Sequence, residues 1–178
     1  YGEEIKTTHN REVIVPTLPF PQITLSEAKK ILTERGITSE KDGDLSPEEE
    51  RNISEYVKEK FNHEFVFITE YPHQTRAFYH MRLEEDSELT RGFDLLWNGV
   101  EITTGAQREH RYDVLVKQAK ERGMELESLQ FYLDFFKYGC PPHGGFGAGP
   151  ERMIMKLFNL ESIRDVSFLY RGVKRLTP

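Results

Sequence analysis

The sequence predicts an α+β fold, an antiparallel β-sheet flanked by helices. Three observations carry that expectation. Two segments open with paired capping signals and continue with apolar residues at helical spacing. An Asn98-Gly99 pair separates two strand-like runs, the strongest short signal for a hairpin. Residues 64–69 and 76–81 read as further strands, and residues 112–136 as two more helices.

Taken in order, residues 1–22 are polar and then punctuated by Pro16, Pro19 and Pro21, which predicts extended or loop structure. Thr24 to Glu27 is a capping box that opens a helix with Ala28, Ile31 and Leu32 inward, ending at Gly36. Ser46, Pro47 and Glu49 form a second start signal, continued by Ile53, Tyr56, Val57 and Phe61. The acidic loop 40–50 lacks the calcium-loop spacing and reads as a solvated cap.

In the hairpin, a two-residue turn would pair Trp97 with Val100, Leu96 with Glu101, Leu95 with Ile102 and Asp94 with Thr103. One face would then carry Phe93, Leu95, Trp97, Val100 and Ile102 toward the core. The other would carry Asp94, Leu96, Glu101 and Thr103, so two carboxylates share a face on adjacent strands. Helices spaced by Tyr112, Leu115, Val116 and Ala119 and by Leu129, Tyr132, Leu133 and Phe136 are stopped by Gly123 and Gly139. A last helix is expected over 150–159. The whole is expected to place helices on one side of the sheet and a ligand face on the other.

The bulk numbers bound the function. A chain of 178 residues with 37% hydrophobic residues makes one domain, or one lobe of a larger one, with a real core. A net charge of −6 excludes a generally basic nucleic-acid surface. The single cysteine, Cys140, excludes a disulfide framework and fits a reducing, cytoplasmic setting. No apolar run has membrane-spanning length, so no membrane partner is expected. The first residue is Tyr1, which reads as a piece of a longer chain.

The most informative stretch is Gly-Phe-Gly-Ala-Gly-Pro-Glu-Arg at 145–152. Alternating glycines let a backbone pass close to a bulky ligand. Pro150 suits the first helical position, and the helix start with Arg152 offers the parts of a phosphate site. The spacing is neither that of a P-loop nor of a dinucleotide fingerprint. A glycine-rich turn capping a core helix would read the same way. Asp94 and Glu101 repel each other unless a cation lies between them, and hard oxygen ligands suit Mg²⁺; a solvated sheet face is the alternative. Arg108, seven residues beyond Glu101, would either pair with these acids or grip a substrate carboxylate with its fork. The histidines show no metal spacing, and no nucleophilic triad is legible.

These residues resemble a known family. Gly-x-Gly-x-Gly-x-Glu-Arg opening a helix resembles motif 3 of the class II aminoacyl-tRNA synthetases. Residues 101–110 are similar to the amino-acid-binding strand of their aspartyl/asparaginyl branch. Tyr71-Pro72, Arg76 to Tyr79, Tyr138 to Gly145 and Lys174 to Pro178 match that branch too, so the likeness covers roughly 18–178.

The resemblance implies an ATP-dependent aspartate- or asparagine-tRNA ligase. It forms an aminoacyl-adenylate and passes the amino acid to tRNA, with a homodimer in the whole protein. Asp94, Glu101 and Thr104 would hold Mg²⁺ on the ATP phosphates. Glu101, Gly147, Gly149, Pro150, Glu151 and Arg152 would line the ATP site, with Arg152 and Glu101 catalytic. Thr104, Gln107 and Arg108 would bind the amino acid. The family's motifs 1 and 2 and its anticodon-binding domain have no counterpart here. The resemblance therefore implies a C-terminal portion of a catalytic domain, an incomplete core and inactive alone. Phe168 to Gly172 also departs from the family's usual pattern near the end. Two alternatives stand beside this reading: a paralogue without the anticodon domain that makes asparagine, and a non-catalytic module that keeps the fold.

Overall fold

Both capping boxes form, and they set the first packed layer. The computed structural model describes residues 1–39 and 41–177. Thr24 and Ser46 each accept from the backbone N–H three residues on, and Glu27 and Glu49 return the bond. They open α2 (Leu25–Glu34) and α3 (Pro47–Phe61), which follow a short α1 (Gly2–His9) and β1 (Gln22–Thr24). Ser46 is 2% exposed, so its loss is not made good by water. Ser46→Ala should lower stability by about 1 kcal/mol, read as a shift in the urea midpoint at unchanged slope.

The remaining elements are β2 (Phe65–Thr69), β3 (Gly92–Trp97), β4 (Val100–Arg108), α4 (Tyr112–Glu121), α5 (Leu126–Lys137), β5 (His143–Ala148) and α6 (Pro150–Leu157). They form a five-stranded sheet in the order β1-β2-β3-β4-β5. The sheet is mixed: β1 joins β2 in parallel, and every other pair is antiparallel. The hairpin turn is made by Asn98 and Gly99, both at positive φ (45° and 76°), as a tight twisted turn requires.

The main core lies between the sheet and α2–α3. Ala28 and Leu32 of α2 and Ile53 and Val57 of α3 cover Val66 and Ile68 of β2 and Leu96 of β3. A second cluster joins α4 and α5 through Leu115, Leu133 and Phe136, with Phe78 and Tyr79 against it. Tyr112, Tyr132 and Phe136 lie in or against this cluster, as their spacing implied, while Phe131 and Phe135 of α5 are exposed.

Four expectations need correction. Residues 2–9 are helical. Glu3 and Glu4 start the turn, Lys6 and His9 end it, and Asn10 closes it in the left-handed region; none of its residues is buried, so no apolar period announced it. Residues 76–81 form no strand; a 3-10 turn at His73–Thr75 leads to isolated bridges, His80 to Arg108 and Arg82 to Thr90. The glycine run contains a strand, β5, because its backbone pairs with β4 although it has almost no side chains to alternate.

The fourth correction concerns the faces of β3. Leu96 is 1% exposed in the main core, and Asp94, two residues away, shares its side. The acidic face is therefore the helix-covered one. Phe93, Leu95 and Trp97 are half-buried on the opposite side, where Trp97 stacks on Phe65 and Phe93 meets Phe67 edge-on. Pro178 and Glu40, part of two stretches read above, lie outside the described residues.

Candidate active site

One irregularity of the sheet assembles the site. Residues seven apart in a regular strand face opposite ways, so Glu101 and Arg108 would be separated by the sheet. A β-bulge prevents this. Leu96 opposes Glu101, but Leu95 opposes Thr103, and Asp94 opposes Thr104 rather than Thr103. Ile102 is the extra residue, and it shifts the alternation by one. Glu101, Thr104, Ala106 and Arg108 then lie on the same face as Asp94.

Strand β5 completes that face. Gly147 lies across from Thr104 and Gly145 across from Ala106. A Cβ at Gly145 would sit 2.7 Å from Nε and 2.8 Å from Nη2 of Arg108, so only glycine leaves room for the guanidinium. A Cβ at Gly147 would meet nothing within 4 Å: it looks onto open space. Gly149 is the N-cap of α6, its N–H donates to the Ile102 carbonyl (2.9 Å), and Pro150 takes the first turn. Glu151 is exposed beside it. Arg152 reaches back over the sheet. Its Nη1 donates to the Glu101 carbonyl oxygen (2.7 Å) and to Oε1 of the same residue (3.4 Å).

Arg108 lines a cavity of about 120 Å³ with Tyr79, His80, Thr104, Gly105, Ala106, Gly145, Phe146 and Gly147. Its guanidinium lies 4.9 Å from the centre of the Tyr79 ring. Gln107 is not brought there. It sits on the opposite face, and its Oε1 accepts from Nη1 of Arg91 (2.8 Å), which corrects its expected place in an amino-acid site.

Arg76 occupies the centre, and sequence reasoning did not single it out. Its Nη1 and Nη2 donate to the two carboxylate oxygens of Asp94 (3.1 and 2.5 Å), and Nη1 also to Oγ1 of Thr104 (3.3 Å). The guanidinium lies 3.5 Å from the centre of the Tyr71 ring. Eighteen residues separate Arg76 from Asp94, so no local period links them. His80 and Glu50 were missed for the same reason.

The electrostatics around Arg76 are uneven. Burial raises the Glu101 carboxyl, and the charge of Asp94 adds to it. Burial pushes Glu50, in the first turns of α3, up to about 7; Glu101, Asp94 and Asp44 raise it further, against a hydrogen bond from the Glu101 backbone. Burial pulls His80 down to about 4, with Arg76 and Arg108 adding to the shift, so its imidazole is neutral at pH 7.

The Glu50 shift has a sign that can be tested. A carboxyl raised from 4.5 to about 7 stabilises the fold fully below pH 4.5, and that contribution is lost as pH rises through 7. Glu50→Gln should therefore be more stable than the parent chain at pH 8, with the gain shrinking toward pH 4.5. Urea unfolding at the two pH values reads the difference, and an equal gain at both would refute it.

Mg²⁺ takes oxygen ligands, one or two of them carboxylates, and keeps water and substrate phosphates as the rest. The donor set fits such a cation in its oxygen ligands. Glu101 is half-buried and raised in pKa and Thr104 adds a hydroxyl, with Arg152 lying against Glu101 as Arg76 lies against Asp94. Asp94 fits less directly, because both of its oxygens lie in the fork of Arg76. Among the described residues there is no cluster of three or more His, Cys, Asp or Glu arranged to hold a metal by themselves.

With this geometry in hand, comparison with known proteins is specific. Residues 3–171 match the family model for class II tRNA synthetases (D, K and N). The chain is 45% identical over 167 residues to the aspartate–tRNA(Asp) ligase of Pyrococcus furiosus, covering 94% of this chain and 38% of that protein. It is 47% identical over 165 residues to the aspartate–tRNA(Asp/Asn) ligase of Aeropyrum pernix, covering 92% and 37%. Among solved structures, the aspartyl-tRNA synthetase from Entamoeba histolytica superposes with a TM-score of 0.90 at 32% identity, over 99% of this chain and 36% of that one. The asparaginyl-tRNA synthetase from Pyrococcus horikoshii complexed with asparaginyl-adenylate gives 0.86 at 33%, over 99% and 40%. The chain thus spans about two fifths of these relatives.

Proposed function

The chain belongs to the class II tRNA synthetases of the D, K and N group, and on that premise we propose that it is the C-terminal portion of the catalytic domain of an aspartate–tRNA ligase. The observation that carries the reading is the bulge at Ile102, which puts Glu101, Thr104 and Arg108 on one face under Arg152.

The reaction so proposed has two steps. The α-carboxylate of aspartate attacks the α-phosphorus of ATP in line, forming aspartyl-adenylate and releasing pyrophosphate. A terminal ribose hydroxyl of tRNA then takes the acyl group and releases AMP. Neither step needs a protein nucleophile; positioning and charge neutralisation supply the rate. Arg108 grips the side-chain carboxylate of the amino acid in a bidentate fork. The open space above Gly147 admits the nucleotide against the backbone. Arg152, now over Glu101, neutralises phosphate charge, helped by the amino end of α6. Mg²⁺, held by Glu101 with Thr104 beside it, would offset the negative charge of the phosphates. In the whole protein we place tRNA as acceptor and a homodimer as the working form.

ATP–pyrophosphate exchange tests the reading in the protein that carries this chain. Exchange should depend on L-aspartate and on Mg²⁺. Exchange with L-asparagine alone would move the substrate to the other branch, and none with either would refute an activating enzyme. No helix among the described residues is long and apolar enough to cross a membrane.

A further inference from the structure

We propose that His80 is a specificity-determining residue of the amino-acid site, a ring that shares the substrate's side-chain oxygen with Arg108. The inference rests on the reading above and extends it to a residue outside the matched motifs.

Three independent features place His80 there. It faces Arg108 across an isolated antiparallel bridge, and directly opposed residues project to one side of a sheet. Both side chains line the same 120 Å³ cavity. Its backbone is fixed from behind: the buried amide of Gln118 donates to the carbonyls of Phe78 (2.5 Å) and His80 (3.3 Å), tying the segment to α4.

The ring itself has one nitrogen inward and one free. Nδ1 is buried without a partner among the described residues, and a Cβ at Gly92 would stand 3.2 Å from it. Gly92 thus leaves the ring its room. Nε2 is not among the buried atoms lacking a partner and makes no hydrogen bond among the described residues, so it is the accessible nitrogen of a ring that lines the cavity.

The chemistry follows from two neighbours of different kind. Arg108 supplies only donors and a fixed positive charge, which suits a carboxylate. A neutral imidazole offers either a donor or an acceptor, according to its tautomer. With the guanidinium's donors engaged by the substrate carboxylate, an acceptor Nε2 could only compete for them, whereas Nε2–H adds a further donor to the same oxygen pair. A substrate amide presents an NH₂ to one of these donors and leaves a donor unpaired in a small cavity, which is costly. The pair therefore prefers a carboxylate, and His80 sharpens a preference that Arg108 begins.

The test uses the protein that carries this chain, with His80→Leu and His80→Gln. His80→Leu removes the donor, and His80→Gln restores one. In pyrophosphate exchange, His80→Leu should raise KM for L-aspartate roughly 10-fold or more, the loss of one hydrogen bond to a charged group. KM for ATP and kcat should change little, and the aspartate-to-asparagine ratio of kcat/KM should fall. His80→Gln should recover most of the KM. A purely structural role would instead lower kcat and the melting temperature and raise both KM values together. Unchanged KM and ratio in His80→Leu would overturn the inference. A second readout is independent of turnover: titrating L-aspartate should shift the ¹⁵N resonance of His80 Nε2. If the parent protein exchanges with neither amino acid yet this shift appears, the activation reading fails and His80 stands as an aspartate ligand. If aspartate leaves the resonance unmoved, His80 does not touch the substrate.

Discussion

Arg108→Ala should cut kcat/KM for aspartate by roughly 10²–10³-fold, because it leaves a substrate carboxylate unpaired in a partly desolvated cavity. ATP binding, measured by calorimetry, should survive. The argument is geometric. Arg108 lies at the end of β4, stacked over Tyr79 and seated in the space that Gly145 leaves, while Arg152 and Gly147 lie on the part of the same face proposed for the nucleotide. The fold does not depend on it, since its guanidinium fills no core position. Arg108→Lys should recover little: a lysine is a point charge without the fork, and it loses the stacking on Tyr79. Equal losses of ATP and aspartate affinity would show that Arg108 serves the whole face, and its assigned role would fall.

How far such a site can be read before its coordinates are known depends on the range of each signal. The caps at Thr24 and Ser46 and the turn at Asn98-Gly99 are local, and each was legible from three or four residues. So was the stop at Gly123, which does adopt positive φ (65°). The bulge was not legible. Ile102, Thr103 and Thr104 are all good strand residues, and nothing in their order marks the one that drops out of register. Without it the carboxylates were correctly placed together, but their relation to Arg108 stayed undecided. The two faces of β3 were exchanged for a related reason. Large aromatics were taken as the core side, whereas Phe93 and Trp97 lie half-buried against Phe65 and Phe67, and the helices cover the side of the smaller Leu96, Val66 and Ile68. Alternation along a strand says which residues share a side; it does not say which side a helix covers. Arg76 illustrates the long-range limit. Its pairing with Asp94 exists only because the segment 72–82 crosses the end of the sheet, held by bridges and by Arg122 bonded to the carbonyls of His73 and Arg76.

Gly105 of β4 and Gly147 of β5, one register step apart and on opposite faces of the sheet, should respond to the same substitution in opposite ways. Gly105 lies on the side away from Arg108, paired with Phe93 on one strand and Phe146 on the other. A Cβ there would stand 2.6 Å from Cζ of Phe93, 2.8 Å from the Gly145 carbonyl oxygen and 2.8 Å from Cβ of Phe146. One obstacle is backbone, and the Phe93 ring is already packed edge-on against Phe67, so neither yields without moving a strand. Gly105→Ala should therefore destabilise the fold by about 1–3 kcal/mol or more, the usual cost of overpacking. Because the displaced strand is β5, it should also disturb Gly145 and with it Arg108. At Gly147 a Cβ meets nothing within 4 Å, so Gly147→Ala should leave the urea midpoint where it is. The added methyl would stand in the space proposed for the nucleotide, and KM for ATP should rise while KM for aspartate changes less. Urea unfolding and pyrophosphate exchange on both variants separate the two effects. If Gly147→Ala lost as much stability as Gly105→Ala, the space above β5 would be part of the packed interior, and a nucleotide could not lie there.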